Sequence, residues 1–329
     1  MTEVRFDILG IGNAMVDVVT RVEDTFLSRH DMHKGAMILV DDKAAEKLYS
    51  AMPPGTESSG GSAGNTCAVA AALGARVAYL GKVADDQLGE VFAHDMRAQG
   101  VHFPSPRLTG GAPTARCLIL VTPDGQRTMN TYLGACVTFG EADVDEELVA
   151  AAAVTYLEGY LFDPPAAQVA FRRAAAAAHR SGRQVALSLS DAFCVGRHRE
   201  AFRDLVASHV DILFANETEI TSLYEKNTFE EAAEAARADV ALAALTRSEA
   251  GSVILRGDET VIVAAEPAKV VDTTGAGDAY AAGFLAGWTA GKPLAICGRM
   301  GSVAAAEVIS HYGARPEADL KALMAKALG

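Results

Sequence analysis

Short apolar runs alternate with longer segments of helical spacing through the second half of the chain. From Val154 onwards, runs typical of buried strands, such as 184–189 and 212–215, are each followed by a segment with a helical apolar pattern. Parallel strands need a crossover connection of this kind, and the helices then cover both faces of the sheet. The pattern predicts a three-layer α/β/α domain with a mostly parallel central sheet.

Strand patterns with no helix between them mark two stretches of the first half. Residues 14–22 alternate and are rich in β-branched side chains, and residues 115–122 and 127–133 flank a polar turn. These strands predict a small β-sheet that covers the α/β domain, which we call the lid. We expect the lid to comprise residues 14–40 and 111–137. The large domain would then comprise residues 1–13, 41–110 and 138–329.

Composition restricts the class of protein without choosing a function. Half of the 329 residues are hydrophobic and the formal net charge is −13, which favours a compact globular protein and disfavours a nucleic-acid surface. The five cysteines lack zinc or redox spacing, and the N-terminus lacks a signal-peptide pattern. We therefore expect a cytoplasmic protein, a monomer or homodimer, that binds neither nucleic acid nor a membrane.

The segment 271–280 places two glycines and an acid at the start of a predicted helix. It reads Val-Asp-Thr-Thr-Gly-Ala-Gly-Asp-Ala-Tyr. Free N–H groups at a Gly-rich helix N-terminus bind anions, phosphate above all. A carboxylate is out of place in a site that only binds phosphate, because its charge would repel the ligand. Its presence is explained if Asp278 is a base that takes a proton from a hydroxyl while the N–H groups hold the phosphoryl oxygens, so the segment predicts phosphoryl transfer to a hydroxyl. The alternative is an ordinary helix N-terminus with Thr274 as its cap.

Two other nucleotide-binding motifs are not matched. The P-loop pattern Gly-x-x-x-x-Gly-Lys-Ser/Thr does not occur, and residues 10–15 lack the third small residue of the dinucleotide fingerprint. A P-loop kinase and a Rossmann dehydrogenase are therefore disfavoured.

The string from Asp272 to Asp278 resembles the signature of the ribokinase-like (PfkB) family of carbohydrate and nucleoside kinases, and the resemblance extends from Gly10 to Pro316. It implies a ribokinase-like fold, with ATP and Mg²⁺ as cofactors. It also implies that Asp278 is the catalytic base. The amides assigned to the anion hole are those of Gly275, Ala276 and Gly277, and K⁺ activation, common in relatives, would involve Asp272 and Thr274.

Polar residues of the first half are candidates for binding the acceptor's hydroxyl groups. Asp17 interrupts an apolar strand, and a sugar diol would satisfy its carboxylate if the residue is buried; a solvent-facing strand acid is the alternative. Residues 60–65 allow close backbone approach and resemble the family's Gly-Gly signature; a flexible loop is the alternative. Arg127 is either a phosphate clamp or a solvated charge. The full candidate set is Asn13, Asp17, Gly60, Gly61, Ser62, Asn65, Arg127, Leu133, Tyr160 and Phe193.

Candidates for binding nucleotide and metal follow two later strands, where open parallel sheets place ligands. Asn216 and Glu219 are interpreted either as a helix cap with favourable acids or, by resemblance to the family's Asn-x-x-Glu element, as residues that organise Mg²⁺ through water. Residues 246–251 resemble the family's nucleotide-binding turn. The nucleotide candidates are Asn216, Thr246, Arg247, Gly251, Gly275 and Gly277.

Within the family, the resemblance is to the adenosine kinases, and residues 12–17, 187–193 and 210–219 carry it. It implies that Phe193 contacts the base of the acceptor, for which stacking is the expected interaction; a core position is the alternative. We therefore expect a kinase for the 5′-hydroxyl of a nucleoside, with adenosine favoured. The alternatives are guanosine or inosine, a sugar kinase of the same family acting on ribose, fructose or a fructose phosphate, and a non-catalytic nucleoside-binding module.

Overall fold

A computed structural model describes residues 2–329 and contains fourteen strands and thirteen α-helices within that range. The strands are β1 (Phe6–Ile11), β2 (Met15–Arg21), β3 (Met37–Leu39), β4 (Thr56–Gly60), β5 (Val77–Leu80), β6 (Val101–His102), β7 (Ala115–Val121), β8 (Arg127–Tyr132), β9 (Ala152–Glu158), β10 (Gln184–Ser188), β11 (Ile212–Asn216), β12 (Leu242–Thr246), β13 (Ser252–Arg256) and β14 (Glu259–Val263). The helices are α1 (Asp24–Arg29), α2 (Asp42–Ala51), α3 (Ser62–Ala72), α4 (Gln87–Ala98), α5 (Glu146–Ala150), α6 (Pro165–Arg180), α7 (Ala192–Arg197), α8 (Arg199–His209), α9 (Glu217–Tyr224), α10 (Phe229–Asp239), α11 (Ala276–Thr289), α12 (Leu294–Val308) and α13 (Leu320–Leu328).

The larger sheet has nine strands in the order β14-β13-β12-β11-β10-β9-β1-β5-β6. Neighbours from β12 to β6 run parallel, and β13 and β14 are added as antiparallel strands. Successive residues of β1 belong to different apolar clusters, Ile8 to one and Leu9 to the other, because side chains of a strand alternate between the two faces. Helices cover both faces, so the three-layer fold with a mostly parallel central sheet is confirmed.

The smaller sheet has five strands in the order β3-β8-β7-β2-β4. Four of them lie within residues 14–40 and 111–137, whereas β4 lies within residues 41–110. β4 pairs antiparallel with β2, although its sequence Thr-Glu-Ser-Ser-Gly has no apolar alternation to indicate a strand. A short helix, α1, also lies between β2 and β3, where we expected strands alone. The division into a large domain and a lid stays a prediction.

The carboxyl ends of the central strands β1, β9, β11 and β12 meet at one edge of the larger sheet. Helices α3 and α11 begin near this edge and pack against each other. Both consist mainly of small residues, which lets them approach closely, and both are buried on nearly all sides. Their first turns therefore face each other beside the strand ends. Within residues 2–329, every helix is too short or too polar to cross a bilayer.

Candidate active site

The N-terminus of α11 presents free backbone donors. Gly275 precedes the helix with φ +78°, and a Cβ atom at this position would lie 2.5 Å from the Cβ of Ala314, so only glycine fits. Within residues 2–329, the amides of Gly277 and Asp278 donate to no protein acceptor. Thr274 does not cap the helix, because its hydroxyl donates to Asp272 instead. The ordinary capped N-terminus that we considered is therefore wrong.

Asp278 lies in the first turn of α11 and is held by the first turn of α3. The hydroxyl of Ser62 donates to its Oδ1 at 2.6 Å, and the side-chain amide of Asn65 donates to its Oδ2 at 3.1 Å. Burial raises the pKa of Asp278 to about 6, while these two hydrogen bonds and the charge of Arg315 oppose the rise. At pH 7 the carboxylate is therefore mainly ionised, and its raised pKa makes it a stronger proton acceptor than an exposed aspartate.

A buried carboxylate that the sequence analysis did not select, Glu158, joins three elements. It ends β9 and is 1% exposed. Its Oε1 accepts from the backbone amide and side-chain amide of Asn13 at 3.1 and 2.7 Å, and its Oε2 accepts from the amide of Ala63 at 2.7 Å. Burial raises the pKa of Glu158 to about 7. The side-chain amide of Asn13 is therefore engaged by protein, and its carbonyl oxygen is the group left for a ligand.

Asp17 carries a carboxylate that accepts no hydrogen bond from residues 2–329. It lies opposite Ser58 in the β2–β4 pair, and a Cβ on Gly60 would be 2.5 Å from its carboxyl carbon. Burial raises the pKa of Asp17 to about 6, and the charges of Arg127 and Arg315 oppose the rise. The carboxylate is half-buried rather than solvated, so it has the free acceptor capacity that a pair of hydroxyl groups would use.

Asn216 and Glu219 form a reciprocal cap at the start of α9. The Oδ1 of Asn216 accepts from the Glu219 amide at 2.8 Å, and the two Glu219 oxygens accept from the Asn216 amide and side chain at 2.9 and 2.7 Å. Glu219 is 6% exposed. Burial, followed by the negative charges of Asp191 and Asp278, raises the pKa of Glu219 to about 7. Among residues 2–329, no three acidic, histidine or cysteine side chains form a ready metal site.

Arg127 forms an ion pair with Asp272, and both side chains are almost fully buried. The Asp272 carboxylate also accepts from the Thr274 amide and hydroxyl at 3.0 and 2.7 Å and from the Gly313 amide at 3.0 Å. The solvated interpretation of Arg127 is therefore wrong. The ion pair links the hairpin of the smaller sheet to the segment that carries the α11 N-terminus.

The turn from Thr246 to Gly251 follows β12 at the same edge of the sheet. The Arg247 amide donates to the Gly251 carbonyl at 2.7 Å and closes the turn. The Arg247 side chain lies away from the turn, because its guanidinium stacks 4.1 Å over the Phe229 ring and its Nε donates to Glu217 at 3.2 Å. Backbone groups of the turn, rather than the arginine side chain, are thus accessible to a ligand.

Two aromatic side chains are exposed beside the acidic groups. Phe193 is 81% exposed at the start of α7, which Asp191 caps, and Tyr160 is 40% exposed just after β9. Burial, then the charges of Asp191 and Asp278, raises the pKa of Tyr160. The core position considered for Phe193 is therefore wrong. Leu133, another acceptor candidate, is half-buried just after β8.

A second residue that the sequence analysis missed is Arg315, from the segment between α12 and α13. Its guanidinium donates to the carbonyl oxygens of Gly64 and Ser59, both at 2.8 Å. Neither Arg315 nor Glu158 belongs to a motif that we identified. An acid at the end of an apolar strand was the one local signal for Glu158, and no pattern indicated Arg315.

Comparison with known proteins identifies the family of the chain. The profile of the "pfkB family carbohydrate kinase" matches residues 36–320. The chain belongs to this family. PfkB kinases are phosphotransferases with an alcohol group as acceptor, and membership implies use of ATP and a divalent metal.

Solved and curated relatives cover almost the whole chain. It is 52% identical to a probable sugar kinase from Rhizobium etli, with a TM-score of 0.91 over 99% of both chains. It is 54% identical to an adenosine kinase from Sinorhizobium meliloti, with a TM-score of 0.90 over 98% of this chain and 99% of that one. Adenosine kinase 1 of Arabidopsis thaliana is 27% identical over 93% of this chain and 94% of its own length. The resemblance to the PfkB family is confirmed.

Proposed function

We propose that this PfkB kinase transfers the γ-phosphoryl group of ATP to the 5′-hydroxyl of adenosine, giving AMP. The observation that carries the proposal is the position of Asp278, a half-buried carboxylate at a helix N-terminus with unpaired amides. Asp278 takes the proton of the acceptor hydroxyl. The free amides of Gly275 and Gly277 face the transferred group and stabilise its developing charge. The Ala276 amide does not belong to this set, because it donates to the Thr273 carbonyl at 3.2 Å.

The ribose of the acceptor binds between the strand end at Asn13 and the start of α3. The unpaired carboxylate of Asp17 accepts hydrogen bonds from two ribose hydroxyls, and the Asn13 and Asn65 side chains complete the polar contacts. Gly60 and Gly61 carry no side chain, which lets the Asp17 carboxylate and the Asn13 carbonyl lie directly against the backbone at these positions. With the ribose bound in this place, the 5′-hydroxyl reaches Asp278.

The adenine base is recognised by stacking. Phe193 is exposed to an extent that is unusual for phenylalanine, and Tyr160 is also accessible. A large exposed aromatic is explained if a planar base covers it, because that contact removes apolar area from water. A bare sugar would leave the ring of Phe193 uncovered. This difference favours adenosine over ribose or a fructose derivative.

ATP lies along the turn from Thr246 to Gly251, with its phosphates at the N-terminus of α11. Asn216 and Glu219 fit a magnesium ion held through water, because each Glu219 oxygen keeps a lone pair beyond its bond to Asn216. A cation would also favour the ionised form of Glu219, whose pKa is raised first by burial and then by the charges of Asp191 and Asp278. When bound, Mg²⁺ would neutralise charge on the phosphate oxygens.

The residues assigned to K⁺ do not fit a monovalent cation in this arrangement. The Asp272 carboxylate is paired with the guanidinium of Arg127 and accepts three further hydrogen bonds from Thr274 and Gly313. Its charge is therefore already compensated by protein groups. We propose that turnover does not require K⁺ while this ion pair is intact.

An acceptor screen tests the proposed function. ADP release from ATP and Mg²⁺ is measured with adenosine, guanosine, inosine, ribose and fructose phosphates, with Asp278→Asn as the control that lacks the proposed base. We expect adenosine to give the highest kcat/KM and AMP to be the product. A higher kcat/KM for a sugar would replace adenosine by the sugar-kinase alternative, and binding of adenosine without phosphate transfer to any acceptor would refute the kinase.

A further inference from the structure

Arg315 reaches the site from the far end of the chain. Nη1 donates to the carbonyl of Gly64 at 2.8 Å, and Nη2 donates to the carbonyl and hydroxyl of Ser59 at 2.8 and 2.9 Å. Its Nε is buried without a hydrogen-bond partner within residues 2–329. The hydroxyl of Ser59 in turn donates to Asp95 of α4 at 2.5 Å. One guanidinium thus fixes both the end of β4 and the first turn of α3.

The first turn of α3 is also the support of Asp278. Gly64 lies between Ser62 and Asn65, the two residues whose side chains donate to the Asp278 carboxylate. A shift of the Gly64 carbonyl would move both donors together, because the three residues belong to one helical turn. The position of Asp278 therefore depends on a contact that Arg315 makes with the backbone.

We propose that Arg315 is a positioning residue for phosphoryl transfer: it fixes the first turn of α3 and thereby holds Asp278 toward the acceptor hydroxyl. The inference rests on the proposed role of Asp278 as the base. A misplacement of about 1 Å at a reacting group can reduce the rate about a hundredfold, so a contact of this kind has a measurable effect on kcat.

The charge of Arg315 also affects the ionisation of Asp278. The titratable and charged side chains that face Asp278 are Asp17 of β2, Glu158 and Tyr156 of β9, Tyr160 after β9, Glu219 of α9, and Arg315. Arg315 is the cation in this group, and its charge lowers the pKa of Asp278. Loss of that charge leaves Asp278 among carboxylates, so its pKa would rise.

Two substitutions separate the positioning effect from the charge effect. Arg315→Lys keeps the charge but loses the planar fork that reaches both carbonyls, and Arg315→Met loses both. Arg183→Met is the matched control, since Arg183 also donates to a backbone carbonyl, that of Ala150, at the opposite edge of the sheet. For each protein, kcat and KM are measured across pH with the best acceptor of the screen, and folding is checked by thermal denaturation.

We expect Arg315→Lys to lower kcat about tenfold or more, with the acidic limb of the kcat/KM profile unchanged. Arg315→Met should lower kcat further and move that limb to higher pH, whereas Arg183→Met should change neither. A kcat within about twofold of wild type in Arg315→Lys would overturn the positioning role. A limb that stays in place in Arg315→Met would overturn the charge effect.

A readout that needs no turnover keeps this test separate from the proposed function. The carboxyl carbon of Asp278 is titrated by ¹³C NMR in wild type and in Arg315→Met, with Asp278→Asn used to assign the signal. An upward shift of the pKa supports the charge effect of Arg315 even if no acceptor is phosphorylated, and an unchanged pKa contradicts that effect. If Arg315→Met does not fold, the kcat of Arg315→Lys decides.

Discussion

Asp278→Asn removes the proton acceptor that we propose for the reaction and keeps the hydrogen bonds of this side chain to Ser62 and Asn65. The introduced amide is close in shape to the carboxylate, and its oxygen can accept from Asn65 while its NH₂ group donates to the hydroxyl of Ser62. Both supporting contacts are therefore retained, and the variant should fold with nearly the same site geometry. The amide cannot accept the proton of the acceptor hydroxyl.

The loss of the base sets the size of the effect. General base catalysis contributes about 10²–10⁴-fold, which corresponds to about 3–5 kcal/mol of transition-state stabilisation. Because the geometry is preserved, KM for adenosine and ATP should change little, and the loss should fall on kcat. The free amides of Gly277 and Asp278 remain, so a residual rate above the uncatalysed one is expected.

The pH profile gives a second measure of the same group. Burial raises the pKa of Asp278 to about 6, so kcat/KM of the wild type should fall about tenfold per pH unit below that value, as the base is protonated. This limb should be absent from Asp278→Asn. Coupled ADP-release kinetics, with adenosine binding and melting temperature as controls, provide the assay. A kcat near that of wild type, with binding and folding intact, would refute the role of Asp278.

Four further outcomes follow from the site. Phe193→Ala should raise KM for adenosine about tenfold without changing the melting temperature, since the ring is 81% exposed; an unchanged KM would contradict stacking. Glu219→Gln should raise the Mg²⁺ concentration for half-maximal activity about tenfold or more, and an unaltered Mg²⁺ dependence would speak against its role. Replacing K⁺ by tetramethylammonium at constant ionic strength should leave wild-type kcat unchanged, whereas the Arg127→Gln variant should be activated by K⁺. K⁺ activation of the wild type would refute the idea that Arg127 neutralises the charge of Asp272. Glu158 and Glu219 both have pKa values raised to about 7 by burial, so the folded apoprotein binds their protons more tightly than the unfolded chain. Its melting temperature should therefore rise as the pH falls from 8 to 6, and a steady fall over that range would contradict the assignment.

Local sequence patterns were sufficient for the architecture of the larger sheet and for the reaction. Strand and helix periodicities repeat within ten to twenty residues, so the alternation after Val154 could be recognised without knowledge of tertiary contacts. The segment from Thr274 to Asp278 is also local, because the turn, the free amides and the acid belong to one helix start. These features do not depend on which distant residues come near.

The smaller sheet shows where local patterns fail. β4 has the sequence Thr-Glu-Ser-Ser-Gly, which predicts a loop, yet it pairs with β2. Its backbone donors and acceptors are satisfied by a strand about forty residues earlier, and β-structure of this kind depends on the partner rather than on propensity. The exposure of a side chain also depends on tertiary contacts. From the sequence, Phe193 could have been a core residue, but the folded chain leaves it on the surface.

By itself, the sequence determined that an acid and a glycine-rich turn occupy one helix N-terminus, and that an α/β sheet supports them. Only the tertiary structure decided what holds Asp278 and its neighbours in place. Glu158 contacts Asn13 across 145 residues of sequence, and Arg315 contacts Ser59 across 256. A hydrogen bond between such distant residues leaves no periodic trace in the chain, because its geometry exists only after the strands and helices have packed.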